Sequence, residues 1–369
     1  MSQDKQPHST HQADSIMLTL VLILAVLGLL ILFSASEYNG RVRFHDSAYY
    51  FKKQLFATAL GLGAMYLVSS IDYHFFVRLA PAAYLLSMLL STAVLLFGQE
   101  INGSKRWLNL GSLSFQPSEF AKVSVVLFLT WQIERSHKRT DGFWFMCRTM
   151  LTLLPIVGLV GSNNLSTAII ILGIGVILIF AASPRYIQFA ALGGAGIGFI
   201  AIFLAAESYR LERLAIWREP EKYEKGFQTI QGLYAIGSGG LFGRGIGNSI
   251  QKLGFVPEAQ NDMIFSIICE EMGLTGAIIL ILIFALLLWR LCVISMNCQE
   301  LSGAMIAAGI MGHLAIQVIL NIAVVTNTIP NTGITLPFIS YGGTSIVFLL
   351  GEMGLALNVS RQKNNPPTR

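Results

Sequence analysis

The sequence has 369 residues, of which 54% are hydrophobic and only 12% carry a charged side chain. A soluble domain ordinarily has about a quarter of its residues charged, so this composition excludes an ordinary soluble enzyme and indicates a polytopic membrane protein. The net charge of +5 fits basic cytoplasmic loops and anionic lipid. No run of lysine and arginine suggests a nucleic-acid partner.

Apolar segments long enough to cross a bilayer recur along the chain. We predict an all-α bundle, because helices satisfy their backbone polar groups in lipid and the alternating pattern of a membrane barrel is missing. The first segment is interpreted as a retained span rather than a signal peptide, because no cleavage site of small residues follows it. The ten predicted spans cover residues 16–34, 54–70, 80–97, 119–133, 148–162, 165–182, 187–206, 264–290, 303–326 and 338–358.

Ten spans place both termini on the same side of the membrane. Lysine and arginine are more frequent on the tails and on the short loops of that side, so we predict that it is cytoplasmic. The predicted organisation is a cytoplasmic tail (1–15), a ten-helix membrane domain (16–360) and a second cytoplasmic tail (361–369). A large loop of about residues 207–262, between spans seven and eight, is then extracellular.

This long loop carries as many acidic as basic residues, so it is not a simple basic patch. Arg210, Arg213 and Arg218 lie in a charged segment whose spacing allows a short amphipathic helix at the membrane surface. Alternatively, these arginines bind a phosphate, because the planar guanidinium matches its oxygens. The glycine-rich residues 235–249 are either a flexible connector or a loop that presents N–H groups to an anion.

Asp262 stands directly before the apolar segment that begins at Met263. A carboxylate at the mouth of a membrane span must be solvated, paired or used in function. Asp is a common helix N-cap, and we predict that Asp262 caps the eighth span. A capping carboxylate at a water-accessible surface can also accept a proton from a substrate hydroxyl, so Asp262 is the candidate general base.

Glu119 and Lys122 stand at the beginning of the fourth predicted span. Their spacing of three residues predicts an ion pair on one face of the helix. A lysine that enters a span needs a partner, since an unpaired ammonium in lipid is costly. The alternative is that Lys122 reaches Asp262 across the bundle and keeps that carboxylate ionised.

Other ionisable side chains lie inside predicted spans. Glu270 and His313 are interpreted as hydrogen-bonded packing residues, whereas Glu271 and Glu352 are either packing residues or parts of a proton path. No cluster of His, Cys and Asp has the spacing of a metal site, so we predict no metal ligands. The four cysteines are interpreted as small apolar packing residues.

The segment 327–345, between the last two predicted spans, contains two prolines and three glycines. Irregular backbone at membrane depth is tolerated where it is buried in protein or lines a cavity. The segment is therefore either a wall of a path for a polar substrate or an ordinary re-entrant turn.

Three motifs together carry a resemblance that runs from the first span to the last. They read INGSKRWLNLG and FQPSEFAK within 101–122, AIGSGGLFGRGIGNSIQKLGFVPEAQNDMIFSIICEEMG within 235–273, and NTGITLPFISYGGTS within 331–345. With these motifs the chain resembles the SEDS family (shape, elongation, division and sporulation) of FtsW, RodA and SpoVE. The last motif is more similar to the division and sporulation branch.

The resemblance implies a ten-span glycosyltransferase of the bacterial cell membrane that polymerises lipid II into glycan strands and releases undecaprenyl pyrophosphate. It places the catalytic carboxylate on Asp262 and adds Lys122 as the second catalytic candidate. The chain departs from the family pattern at 162–167, where Asn164 replaces a carboxylate and Ser166 a glycine. The candidate substrate-binding residues are Glu119, Arg210, Arg213, Arg218, Gln251, Lys252, Glu258, Ser340 and Tyr341.

The partners that the resemblance implies are lipid II, the nascent glycan strand, a class B penicillin-binding protein that acts as transpeptidase, and other division or cell-wall proteins. A divalent cation (Mg or Mn) could neutralise the pyrophosphate, but no set of ligands in the sequence demonstrates one. Two rival interpretations are a transporter that flips lipid II and a non-enzymatic scaffold that recruits a transpeptidase.

Overall fold

The computed structural model describes residues 13–101, 104–110, 113–136, 143–183, 193–194, 196, 198 and 214–362. This part of the chain is a bundle of long helices, which confirms the predicted all-α membrane class. Its longer helices are α1 (Ser15–Phe44), α2 (Tyr49–Ser70), α3 (Tyr73–Phe97), α4 (Pro117–Ser136), α5 (Phe143–Gly161), α6 (Leu165–Ala182), α7 (Phe227–Gly239), α8 (Ile264–Asn297), α9 (Leu301–Val325) and α10 (Gly343–Gln362).

Among the described residues, seven helices are long and apolar enough to cross a membrane: α1, α3, α5, α6, α8, α9 and α10. Helices α2 and α4 coincide with the second and fourth predicted spans but are more polar. The seventh predicted span, 187–206, falls almost entirely outside the described residues. The count of ten spans therefore stays a prediction.

Between α3 and α4 the chain forms a small antiparallel sheet in the order β1-β2-β3, which the sequence pattern did not predict. Its strands are β1 (Gln99–Ile101), β2 (Ser104–Leu110) and β3 (Leu113–Phe115). Gln99 pairs with Trp107, and Leu108 pairs with Phe115. The sheet holds the basic residues of β2 near the N-terminus of α4.

Both ends of the described bundle lie on the same face. Asp14 caps α1 by accepting a hydrogen bond from the Met17 amide, and it pairs with Arg290 near the end of α8 at 2.6 Å. The backbone N–H of Asp14 donates to the hydroxyl of Ser360 at the end of α10. The start of α1 and the end of α10 therefore lie at the same end of the described bundle, and the side of the membrane on which the termini lie stays a prediction.

Helix α8 is interrupted at Gly273, whose φ of 67° is outside the helical range. The interruption leaves backbone carbonyls of α8 without partners inside the helix, and buried carbonyls require donors. The glycine-rich loop supplies these donors: the amide of Arg244 bonds to the Glu270 carbonyl and that of Gly245 to the Glu271 carbonyl, both at 2.9 Å. These two amides of the loop serve the helix rather than an anion.

The same loop is anchored by buried side chains. The ammonium of Lys252 lies 2.9 Å from the Glu271 carboxylate and 2.8 Å from the hydroxyl of Ser34 in α1. Glu270 accepts hydrogen bonds from the hydroxyl of Ser249 and from the amides of residues 250 and 251. Lys252 is only 3% exposed and its ammonium is paired with Glu271, so this geometry does not favour substrate binding by Lys252, which stays a prediction.

Gly239 allows α7 to contact α8 closely, since a Cβ there would lie 1.9 Å from the backbone oxygen of Cys269. Gly239→Ala should lower the free energy of unfolding by about 1–3 kcal/mol, because neither backbone can move easily. Thermal unfolding in detergent measures this change. The matched control is Gly237→Ala in the same helix, where a Cβ meets no atom within 4 Å. Equal effects of the two substitutions would contradict the predicted contact.

Removing the carboxylate from the buried pair should be costly. Glu271→Gln leaves the Lys252 ammonium without its counter-charge, and we expect a loss of roughly 3–5 kcal/mol in the free energy of unfolding. Glu219→Gln is the control, because it breaks an ion pair with Lys222 whose two side chains are more than half exposed. That change should stay within about 1 kcal/mol in the same unfolding assay.

Candidate functional site

Asp262 is the last residue but one before α8. The prediction that it caps this helix is wrong: the N-cap is Met263, with no capping bond from a side chain. The half-buried carboxylate of Asp262 instead faces α7, where the amide of Gln228 donates to Oδ1 at 3.4 Å. The carboxylate is therefore free of the helix end and directed toward the loop.

The backbone around Asp262 is held by α9 and by the segment between α9 and α10. The buried amide of Asn321 donates to the carbonyls of Asp262 at 2.8 Å and of Ile334 at 2.7 Å. The hydroxyl of Ser340 donates to the carbonyl of Asn261 at 2.7 Å. Ser340 is 6% exposed and its hydroxyl is engaged by the backbone, and its role in substrate binding stays a prediction.

The charge on Asp262 is set by its surroundings in the loop. Burial raises the pKa of Asp262 to about 6, and the neighbouring Glu258 carboxylate also raises it. The hydrogen bond from the backbone N–H of Asp262 lowers the pKa most, and the hydrogen bond from Gln228 and the positive charge of Arg106 act in the same direction. At neutral pH the group is mainly ionised, and its basicity exceeds that of an ordinary aspartate, which suits a general base.

Glu258 adopts a left-handed backbone conformation, with φ of 53°. Its carboxylate pairs with Arg43 of α1 at 3.1 Å and accepts a hydrogen bond from the Asn261 amide at 2.6 Å. This links the end of α1 to the residues before Asp262. Glu258 is half-buried and remains a candidate for substrate contact beside Asp262.

Lys122 lies 3.0 Å from Glu119, which confirms the predicted pair within α4. Its ammonium also donates to the side chain of Gln317 in α9 at 3.1 Å. The alternative prediction, a direct contact with Asp262, is wrong, and Arg106 supplies the positive charge that lowers the Asp262 pKa. Lys122 and the Asp262 backbone are both bound by side chains of α9, Gln317 and Asn321, which lie one turn apart.

The importance of Arg106 was missed by the sequence analysis. Arg106 and Lys105 are consecutive residues of β2 and line a cleft beside the N-terminus of α4, together with Ser118, Asn163 and Asn164. The Arg106 guanidinium donates to the carbonyl of Asn163 at 3.4 Å. The sequence feature that could have identified Arg106 is its place beside a second basic residue in a motif between two spans.

The departure at 162–167 has a structural explanation. Asn164 caps α6 by accepting a hydrogen bond from the Thr167 amide at 3.2 Å, a role for which Asn and Asp are about equally suited. The hydroxyl of Ser166 donates to the carbonyl of Thr332 at 2.7 Å. Asn164 therefore caps the helix beside the cleft of Lys105 and Arg106 with a neutral side chain in place of a carboxylate.

The remaining candidate substrate-binding residues lie in other parts of the structure. The ring of Tyr341 packs edge-on against Tyr50, with centroids 5.0 Å apart. The backbone N–H of Gln251 donates to the Glu270 carboxylate in the loop anchor. Arg218 is exposed at the end of a short helical stretch, 214–218, and lines a separate surface pocket. Arg210 and Arg213 lie outside the described residues.

The described residues do not provide a metal site. Nowhere in the described ranges do three or more His, Cys, Asp or Glu side chains come together as ligands. Near Asp262, the Glu258 carboxylate is occupied by Arg43 and Asn261. The described residues around Asp262 therefore do not fit a resident divalent cation.

Comparison with known proteins agrees with this architecture. Residues 14–365 match the family model of FtsW, RodA and SpoVE, described as "Cell cycle protein". The stage V sporulation protein E of Bacillus subtilis (strain 168) is 37% identical over 361 residues, covering 94% of this chain and 97% of that protein. A probable peptidoglycan glycosyltransferase FtsW of Trichlorobacter lovleyi is 33% identical, covering 96% of this chain and 95% of that protein.

Two solved structures share both fold and sequence with the chain. One is a chain from a study of structural coordination of polymerization and crosslinking by a peptidoglycan synthase complex. It has a TM-score of 0.81 and 30% identity, covering 96% of this chain and 99% of that chain. The rod shape determining protein RodA of Thermus thermophilus has a TM-score of 0.71 and 29% identity, covering 96% and 98%. With a family model that spans almost its whole length, the chain belongs to the FtsW/RodA/SpoVE (SEDS) family of membrane proteins.

Proposed function

We propose that this chain, a peptidoglycan glycosyltransferase, polymerises lipid II with Asp262 as general base. The supporting observation is a half-buried carboxylate with a pKa of about 6 at the outer end of α8, held by α7, α9 and the segment before α10. A base with this pKa is ionised at neutral pH and still accepts a proton effectively.

In this mechanism Asp262 removes the proton from the 4-hydroxyl of an acceptor GlcNAc. The oxygen then forms a bond to the anomeric carbon of the donor MurNAc, and the bond from that carbon to the pyrophosphate oxygen breaks. Undecaprenyl pyrophosphate departs with the bonding electron pair. It is a weak base, so a general acid is less necessary. Asp262 delivers its proton to solvent before the next cycle.

The cleft lined by Lys105 and Arg106 is the proposed site for the pyrophosphate. Its two basic side chains and the N-terminus of α4 favour negative charge, and the cleft lies beside the neutral cap Asn164. Arg106 is also close enough to lower the Asp262 pKa, so pyrophosphate bound there would be near the base. Arg210, Arg213 and Arg218 remain candidates for further contacts with the substrate.

The cellular setting is proposed from the same relationships. We place the chain in the bacterial inner membrane with both termini in the cytoplasm, and the contact between Asp14 and Ser360 supports termini on one side. A neighbour that coordinates polymerization and crosslinking suggests a crosslinking partner here, a class B penicillin-binding protein. The similarity to stage V sporulation protein E and to FtsW favours a role in sporulation or cell division.

Asp262→Asn should lower the rate of lipid II polymerisation by the purified protein at least about 100-fold, because the amide cannot accept the proton. Glycan products on a gel measure the rate, and the unfolding temperature checks the fold. Glu37→Gln is the control, since that carboxylate is exposed and pairs with Arg41. Full activity of Asp262→Asn would overturn the proposal. If this variant instead loses lipid II flipping in vesicles without losing polymerisation, the transporter is favoured.

The polymerisation rate should rise with pH through about 6 and level off above it, because the base must be ionised. Gln228→Ala removes a hydrogen bond that stabilises the ionised carboxylate, so the Asp262 pKa should increase and the midpoint should move to higher pH. The rate measured across a pH series with both proteins tests this. A midpoint that moves down, or stays unchanged, contradicts the assignment of that limb to Asp262.

A further inference from the structure

A second group of ionisable side chains lies in the interior of the bundle and takes no part in the proposed mechanism. His313 of α9 contacts Glu352 of α10, with Nδ1 2.8 Å from Oε2. Its other ring nitrogen, Nε2, lies 2.9 Å from Oε1 of Gln317. His313 is 3% exposed and Glu352 1%, so neither exchanges its partners for water.

The orientation of the Gln317 amide follows from its neighbours. Its Nε2 lies 3.1 Å from the backbone oxygen of Thr335, which can only accept a hydrogen bond. Its Oε1 lies 3.1 Å from the ammonium of Lys122, which can only donate. A flipped amide would place like against like at both contacts, so Oε1 must face Lys122 and His313.

This orientation determines the protonation of His313. Since Oε1 of Gln317 is an acceptor, Nε2 of His313 must carry a hydrogen. Nδ1 and Oε2 of Glu352 are then 2.8 Å apart and need one hydrogen between them. Either Glu352 is a carboxylic acid that donates to a neutral imidazole, or a carboxylate accepts from an imidazolium.

The second oxygen of Glu352 distinguishes these forms. Among the described residues, Oε1 of Glu352 is a buried side-chain atom without a hydrogen-bond partner. An unpaired oxygen of an ionised carboxylate in a membrane interior costs much more than the carbonyl oxygen of a neutral acid. The adjacent charges of Lys122 and Glu119 already compensate each other at 3.0 Å and require no further anion.

We propose that Glu352 is a membrane-embedded proton-binding site: it holds one proton at neutral pH as a carboxylic acid and donates it to Nδ1 of His313. The bond fixes the Nε2–H tautomer of His313, which in turn holds Gln317. Oε1 of Gln317 accepts a hydrogen bond from the Lys122 ammonium, and Nε2 of Gln317 donates one to the Thr335 carbonyl. Glu352 and His313 are therefore positioning residues for Lys122 and for the segment that supports Asp262.

Infrared spectroscopy of the full chain in lipid vesicles tests the protonation of Glu352. At neutral pH we expect a carbonyl band of a protonated carboxylic acid that disappears in Glu352→Gln. Glutamine keeps the shape and an N–H donor toward Nδ1, so this variant should fold. Glu37→Gln, an exposed carboxylate, should leave the band unchanged. If Glu352→Gln removes no acid band, the proposal is overturned.

Nitrogen NMR of protein labelled with ¹⁵N-histidine gives an independent measurement, with His313→Gln identifying the signal. We expect a protonated Nε2 and an unprotonated Nδ1 in both the unmodified chain and Glu352→Gln. Two protonated nitrogens would show the imidazolium form, and a hydrogen on Nδ1 alone would show the opposite tautomer. Either of these results overturns the proposal.

The positioning role rests on the proposed function and is tested separately. Glu352→Gln, which keeps a donor, should polymerise lipid II within about threefold of the unmodified rate, whereas Glu352→Met, of similar volume without a donor, should lose at least about tenfold. Equal rates in the two variants would overturn the positioning role. Inactivity of the unmodified chain would count against the proposed function, while both spectroscopic measurements would stand.

Discussion

The two hydrogen bonds of the Asn321 side chain determine where the site forms. The backbone before α8 and the segment between α9 and α10 are both irregular, and irregular backbone within a membrane bundle needs partners from the protein itself. One buried amide binds the carbonyls of Asp262 and Ile334 and joins the two segments to α9. The position of the proposed base therefore depends on a residue that is far from it in sequence.

Two buried ionic groups serve this arrangement in different ways. Lys252 and Glu271 attach the glycine-rich loop to α8 near its interruption at Gly273. This attachment positions the part of the loop that leads to Asp262. Lys122 and Glu119 connect α4 to α9 through Gln317. Neither lysine contacts the Asp262 carboxylate. The pKa of Asp262 is set instead by burial, its own backbone N–H, the Glu258 carboxylate, the Gln228 amide and the charge of Arg106.

The separation of the buried ion pairs from Asp262 explains how the site can be rigid while its carboxylate stays partly exposed. Charges that are fully buried are committed to partners and stabilise the fold, because breaking such a pair leaves an uncompensated ion. The half-buried Asp262 retains a raised pKa because burial outweighs the groups that stabilise its charge: its own backbone N–H, the Gln228 amide at 3.4 Å and the charge of Arg106. A direct contact with Lys122 would have lowered the pKa and reduced the strength of the base.

The sequence by itself determined the membrane class, the approximate positions of the helices and the family, because apolar length and contiguous motifs are local properties. It also predicted the pair of Glu119 and Lys122, whose partners are three residues apart on one helix. Only the tertiary structure decided that Lys252 belongs to Glu271 and Ser34, that Ser340 holds a backbone carbonyl, and that Arg106 acts on Asp262. These contacts join distant parts of the chain, and helix packing, which no local periodicity encodes, brings them together.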